Sequence, residues 1–189
     1  MEMMRTLKVL DTTAISAALF EVKSVDLLSR CCQRYVLLTS PTVMSELAAS
    51  TRPNVWKGCE RLISVERASD YDPTSLAATL AKRYLSLDEG ELTAYLVALH
   101  RSVITGNQVV FVTDDGEMRR SAKKIAQNPL VTASLGSNFV VKDTGTVGLV
   151  LRMSEKGLLT DGEKAGIADD LATSTFRCTK QILDQLRFS

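Results

Sequence analysis

The sequence predicts an α/β fold: a central parallel sheet of four to five strands flanked by helices, followed by a helical C-terminal extension. Three observations predict it. Short runs rich in branched and aromatic side chains alternate with helical patterns, which favours parallel strands joined by helical crossovers. Several of the helical patterns carry their own start and stop residues. The 189 residues, 45% apolar and 24% charged, suit one soluble globular unit able to bury a core of normal size.

Taken in order, the strand candidates are residues 7–10, 35–38, 62–65, 109–112 and 139–141, with 62–65 the weakest pattern. Ser40-Pro41 sets a capping hydroxyl before a proline and predicts a helix through about Ala49. Ser86-Leu87-Asp88-Glu89 has the form of a capping box, and Leu92, Tyr95, Leu96 and Leu99 behind it predict a long, half-buried helix. Asp143 or Thr144 suits the cap of a helix that runs to Lys156 and stops at Gly157 in a left-handed conformation. Residues 50–58 and 127–138 read as loops. Beyond Leu159, amphipathic patterns around Ile167 and Leu171, and around Ile182, Leu183 and Leu186, predict helices packed on the same domain. The expected division is a domain over residues 1–159 and an extension over 160–189.

Composition excludes several classes of function. The 23 basic and 22 acidic side chains nearly cancel, so nucleic-acid binding has to come from a local patch. Four cysteines (Cys31, Cys32, Cys59 and Cys178) without CxxC spacing, and one histidine, His100, argue against zinc clusters and a disulfide framework. The first apolar run ends at Asp11, and no stretch nears the roughly 20 residues that span a bilayer. A cytoplasmic protein with reduced cysteines and no membrane partner is the expectation.

Carboxylates are the plentiful ligand. Asp11 ends the first strand and Asp114-Asp115 ends the fourth, the edge at which open parallel sheets bind ligands. Glu46 follows the second strand on a helix, and Glu91 lies early in the helix that begins near Leu87. If the strands are neighbours these acids converge, and such a cluster repels itself unless a divalent cation such as Mg²⁺ or Mn²⁺ is bound. Each acid also has a plainer role. Asp11 suits a helix cap, Asp114 with Glu117 resembles a capping pair, Glu91 offsets a helix dipole, and Glu46 alone would be a solvated helix residue. The capping reading of Asp114 leaves Asp115 as the better metal candidate. Arg119, Arg120, Lys123 and Lys124 follow at once, and Arg119 is the expected phosphate contact; Lys123 and Lys124 read as a solvated face opposite Met118, Ala122 and Ile125. His100 reads as a hydrogen-bonded structural residue.

The order Val9-Leu10-Asp11-Thr12-Thr13, Ser40-Pro41-Thr42-Val43-Met44-Ser45-Glu46-Leu47, Gly90-Glu91-Leu92-Thr93-Ala94, Val112-Thr113-Asp114-Asp115 and Gly145-Thr146-Val147-Gly148-Leu149 resembles a PIN domain, over about residues 7–160. The Gly-Glu at the third acid and the double Asp at the fourth look closest to prokaryotic PIN proteins related to VapBC toxins. The resemblance implies a metal-dependent ribonuclease. Asp11, Glu46, Glu91 and Asp115 would be catalytic and hold one or two Mg²⁺ or Mn²⁺ ions, with Asp114 supporting them. Thr13 and Arg119 would meet the substrate. It also implies RNA as partner, an antitoxin protein, and a homodimer. The alternative is a non-catalytic PIN-fold module that binds RNA or protein, against which the four filled acidic positions argue. An aspartate-nucleophile phosphatase would need a second aspartate where Thr13 stands.

Overall fold

The computed structural model describes residues 6–50, 57–67 and 69–188. Its five strands, β1 (Thr6–Leu10), β2 (Tyr35–Thr39), β3 (Ser64–Val65), β4 (Val109–Val112) and β5 (Val141–Thr144), form one all-parallel sheet in the order β3-β2-β1-β4-β5. The chain winds outward from β1 to β3 and then returns to the other side for β4. The point of reversal therefore lies between β1 and β4, where an open sheet leaves a crevice at its carboxyl edge.

The helices are α1 (Thr12–Ser16), continued by a π turn over Ala17–Glu21, α2 (Leu27–Cys32), α3 (Pro41–Ala48), α4 (Thr74–Ala81) and α5 (Glu89–Thr105). They continue with α6 (Gly116–Ala126), α7 (Pro129–Leu135), α8 (Thr146–Glu155), α9 (Asp161–Thr173) and α10 (Lys180–Phe188). Ser40 caps α3 through its hydroxyl, with Pro41 in the first turn, as that pair predicts. α5 packs on β1 and β4 and is covered by α3, α4, α6 and α7. Every residue from Gly90 to Leu99 is consequently buried, and the half-buried helix expected from its apolar stripe is instead sheathed nearly all round. A second group forms where Cys31 of α2 meets Met153 of α8 and Arg30 pairs with Glu163 of α9 at 2.6 Å. Ile167, Ala168, Leu171 and Leu186 belong to the same hydrophobic core as the sheet, so α9 and α10 are part of one packed body. Among the described residues no helix is long and apolar enough to cross a membrane, and none of the cysteines is in a disulfide.

Four local expectations are corrected. The last strand is Val141–Thr144 rather than 139–141, because Val109↔Val141 through Val112↔Thr144 is the register that extends β4. As an edge strand it pairs on one side only and tolerates Lys142 and Asp143 facing outward. Gly145, not Asp143 or Thr144, then becomes the cap of α8, which still ends before a left-handed Gly157 at φ 69°. The expected loop at 127–138 contains α7, opened by the Asn128 side chain accepting the Leu130 amide, by Pro129, and by buried Val131. The capping box of α5 is Asp88 with Glu91, two residues later than the Ser86 pattern. The loop expected at 50–58 falls mostly outside the described residues.

Candidate active site

Asp11 stands at the crevice between β1 and β4, with its amide donating to Val112 O at 3.1 Å, so the ladder continues past the strands to hold it. It is fully buried. Its Oδ1 accepts the Ala14 amide and the Thr13 hydroxyl, both at 2.8 Å, which makes it the N-cap of α1. The capping role expected of Asp11 thus occupies one oxygen only. Oδ2 is buried without a hydrogen-bond partner. Burial pushes the carboxyl up to about 6, against the opposing pull of the Thr113 hydroxyl, the Ala14 amide and Thr13, and the Asp114 charge adds to the rise. A buried carboxylate with one oxygen unmatched costs free energy unless a cation or proton meets it.

The capping role that the spacing assigns to Asp114 falls to Asp115. The cap of α6 is Asp115, whose Oδ1 accepts the Met118 amide at 2.6 Å. Asp114 instead bonds Thr146 twice: Oδ1 accepts the amide at 2.8 Å and Oδ2 the hydroxyl. That latch joins the end of β4 to the start of α8, and a Cβ on Gly145 would come within 2.7 Å of Asp114 Oδ1, so glycine makes the approach possible. Burial raises the Asp114 carboxyl, the Thr146 bonds oppose the rise, and Arg119 helps to hold it down. Thr13 links both acids, donating to Asp11 and accepting the Asp114 amide at 3.1 Å.

Glu46 on α3 accepts the Thr12 hydroxyl, which ties it to the first turn after Asp11. It lies against Gly90, where any Cβ would overlap its carboxylate. Glu91, at the next position of α5, accepts the Asp88 amide through Oε2 at 3.1 Å. Burial pushes Glu91 up to about 7; the Asp88 bond opposes this, and the charges of Asp115 and Asp11 add to it. Four elements thus bring Asp11, Glu46, Glu91 and Asp115 to one edge. As they stand, each with an oxygen turned to a hydroxyl or amide, no three His, Cys, Asp or Glu side chains among the described residues form a ready metal cage. Sequence reasoning overlooked Thr12, Thr146, Gly90 and Gly145, which hold or make room for the acids. The threonines directly following Asp11, and the motifs that contain Gly90 and Gly145-Thr146, were the available signals.

Arg119 is half exposed and pairs with Asp143 of β5 at 3.2 Å rather than with the acid cluster. Arg120 pairs with Glu117, and Lys123 and Lys124 are exposed, as the apolar stripe of α6 predicts. Arg119 nonetheless lines a cleft of about 550 Å³ together with Thr13, Asp114 and Asp115, across from the segment that joins α9 to α10. His100 departs from the hydrogen-bonded expectation. It stacks on Tyr71, centroids 4.3 Å apart, and its Nδ1, 3.8 Å from Glu66 Oε1, has no hydrogen-bond partner.

A parallel sheet with acids gathered at its topological switch point is the architecture of a nuclease-like class. The sequence model of the PIN-domain family matches residues 7–187, through α9 and α10, and the chain belongs to that family. PIN domains are generally nucleases and typically use divalent metals. Neither a curated protein nor a solved structure matches the chain.

Proposed function

We propose that the protein is a divalent-metal-dependent endoribonuclease that hydrolyses RNA phosphodiester bonds, with Asp11, Glu46, Glu91 and Asp115 holding Mg²⁺ or Mn²⁺. The observation that carries the reading is the unpartnered Oδ2 of fully buried Asp11, set close enough to Glu91 that its charge helps to raise that carboxyl. Hard oxygen donors crowded at one edge suit such a cation, and its arrival would relieve both the orphaned oxygen and the mutual repulsion. Bound there, the cation would supply charge neutralisation at the phosphate and assistance to the attacking water.

The chain's own residues do the positioning. Thr13 and the Ala14 amide fix the orientation of the Asp11 carboxylate, Thr12 steers Glu46, and the Asp88 amide orients Glu91. Asp114, taken up by Thr146, supports the site by fixing the backbone that carries Asp115. Arg119, in a half-exposed ion pair, can leave Asp143 for a phosphate at small cost. By the resemblance to VapBC toxins, the protein acts in the cytoplasm as a homodimeric toxin paired with an antitoxin protein.

The test is cleavage of single-stranded RNA by purified chain in Mg²⁺ or Mn²⁺, with a chelator and with Asp11→Asn. The expected result is cleavage that both treatments abolish while the variant stays folded. Undiminished cleavage by Asp11→Asn would assign the activity elsewhere. Binding of RNA without cleavage under any divalent ion would favour the non-catalytic alternative.

A further inference from the structure

We propose that the segment joining α9 to α10 is the second wall of a groove for single-stranded RNA, in which Arg177 binds a backbone phosphate and Phe176 stacks on a base. The inference rests on RNA being the substrate, as proposed above, and names which residues outside the acid cluster would hold it.

Phe176, Arg177 and Gln185 line the same cleft as Thr13, Asp115 and Arg119, so the C-terminal segment faces the acids across about 550 Å³ of open space. That volume lies within the roughly 300–1,000 Å³ of small-ligand sites. Arg177 is exposed and, among the described residues, makes no ion pair. The acids that line the cleft with it already accept hydrogen bonds of their own. Asp114 gives both oxygens to Thr146, Glu21 accepts the Thr175 hydroxyl at 3.0 Å, and Asp115 caps α6. A guanidinium that pairs with none of these carboxylates is available to an anion from outside, and arginine suits phosphate by its planar fork.

The wall is built rather than loose. Thr175 ties it to the π turn through Glu21, Ser174 donates to Leu171 O at 3.1 Å, and the Phe176 amide donates to Ser174 Oγ at 3.0 Å. Beyond it α10 is anchored by fully buried Leu186 and by Arg187, which pairs with Asp169 at 2.6 Å. Phe176 is half buried against the core, leaving part of its ring to the cleft. An aromatic face accepts any base, and a cation beside it tracks the backbone, which is the combination single strands require. A phosphodiester brought to a cluster of carboxylates is repelled, and arginines on both walls offset that repulsion. This also answers the near-zero net charge of the chain, since the cationic surface is local.

The experiment is fluorescence anisotropy with a labelled single-stranded oligouridylate and the full chain in EDTA, so that binding is read without metal or cleavage. Arg177→Gln should weaken binding about tenfold and lower the slope of log K against log salt by about 0.7, the loss of one phosphate contact. Phe176→Leu, which keeps apolar packing but removes the stacking face, should weaken it about tenfold, and Phe176→Tyr should restore it. Unchanged binding by both Arg177→Gln and Phe176→Leu, with metal-dependent cleavage by the parent intact, would overturn this inference alone. Tighter binding or faster cleavage by either variant would make the segment an obstruction and overturn it as well. A parent that neither binds nor cleaves would overturn the nuclease reading together with it. A parent that binds through these residues but never cleaves would leave the groove standing without the nuclease.

Discussion

Replacing Asp11 with asparagine should reshape the dependence of stability on pH. Burial raises this carboxyl from 3.8 to about 6, so between those values the folded chain holds a proton that the unfolded chain has released. Stability from this group is complete below pH 3.8 and is lost as the pH rises through about 6. At about 1.4 kcal/mol for each pH unit of displacement, the loss is roughly 3 kcal/mol. Asparagine keeps an oxygen for the Ala14 amide and the Thr13 hydroxyl but carries no charge. Urea unfolding in EDTA should therefore find Asp11→Asn gaining roughly 3 kcal/mol on the parent between about pH 3 and pH 8. Titration of carboxylates that do not interact with Asp11 cancels in that difference. Glu91 acts in the same direction, because removing the Asp11 charge removes one of the influences that raise it. Two pH profiles that stay parallel within about 0.5 kcal/mol would refute the assignment of a buried, orphaned carboxylate at this position.

Three further outcomes follow from individual contacts. Gly90→Ala should leave the melting temperature unchanged or slightly raised, since alanine favours the helix by about 1 kcal/mol and the flexible end of Glu46 can swing away, but metal-dependent cleavage should fall; retained activity would show that Glu46 is not needed. Thr146→Val removes the hydroxyl half of the Asp114 latch and should cost about 2 kcal/mol by chemical denaturation, with a loss below about 0.5 kcal/mol refuting the latch. Arg119→Gln should weaken RNA binding and cleavage while changing stability by less than about 1 kcal/mol, because its pair with Asp143 is half exposed; Lys124→Gln is the control, and an effect there but not at Arg119 would put the wrong face of α6 in the cleft.

Sequence alone determined the alternation of strands and helices, and with it an all-parallel sheet whose carboxyl edge collects Asp11 and Asp115. Those are local or topological consequences, carried by apolar runs, caps such as Ser40-Pro41, and the chirality of crossovers. Only the tertiary structure decided which aspartate caps α6 and which latches Thr146, because both occupy similar positions after β4 and the choice depends on where α8 begins. That start was itself displaced when pairing with β4 drew Asp143 and Thr144 into an edge strand. The burial of α5 on all sides was equally out of reach of periodicity, which reads one apolar stripe but not the helices that cover the remaining face. The wall formed by Phe176 and Arg177 had no sequence signal at all. It arises from long-range contacts such as Thr175 with Glu21, 154 residues apart, and the proximity of such residues is set by packing rather than by any local pattern.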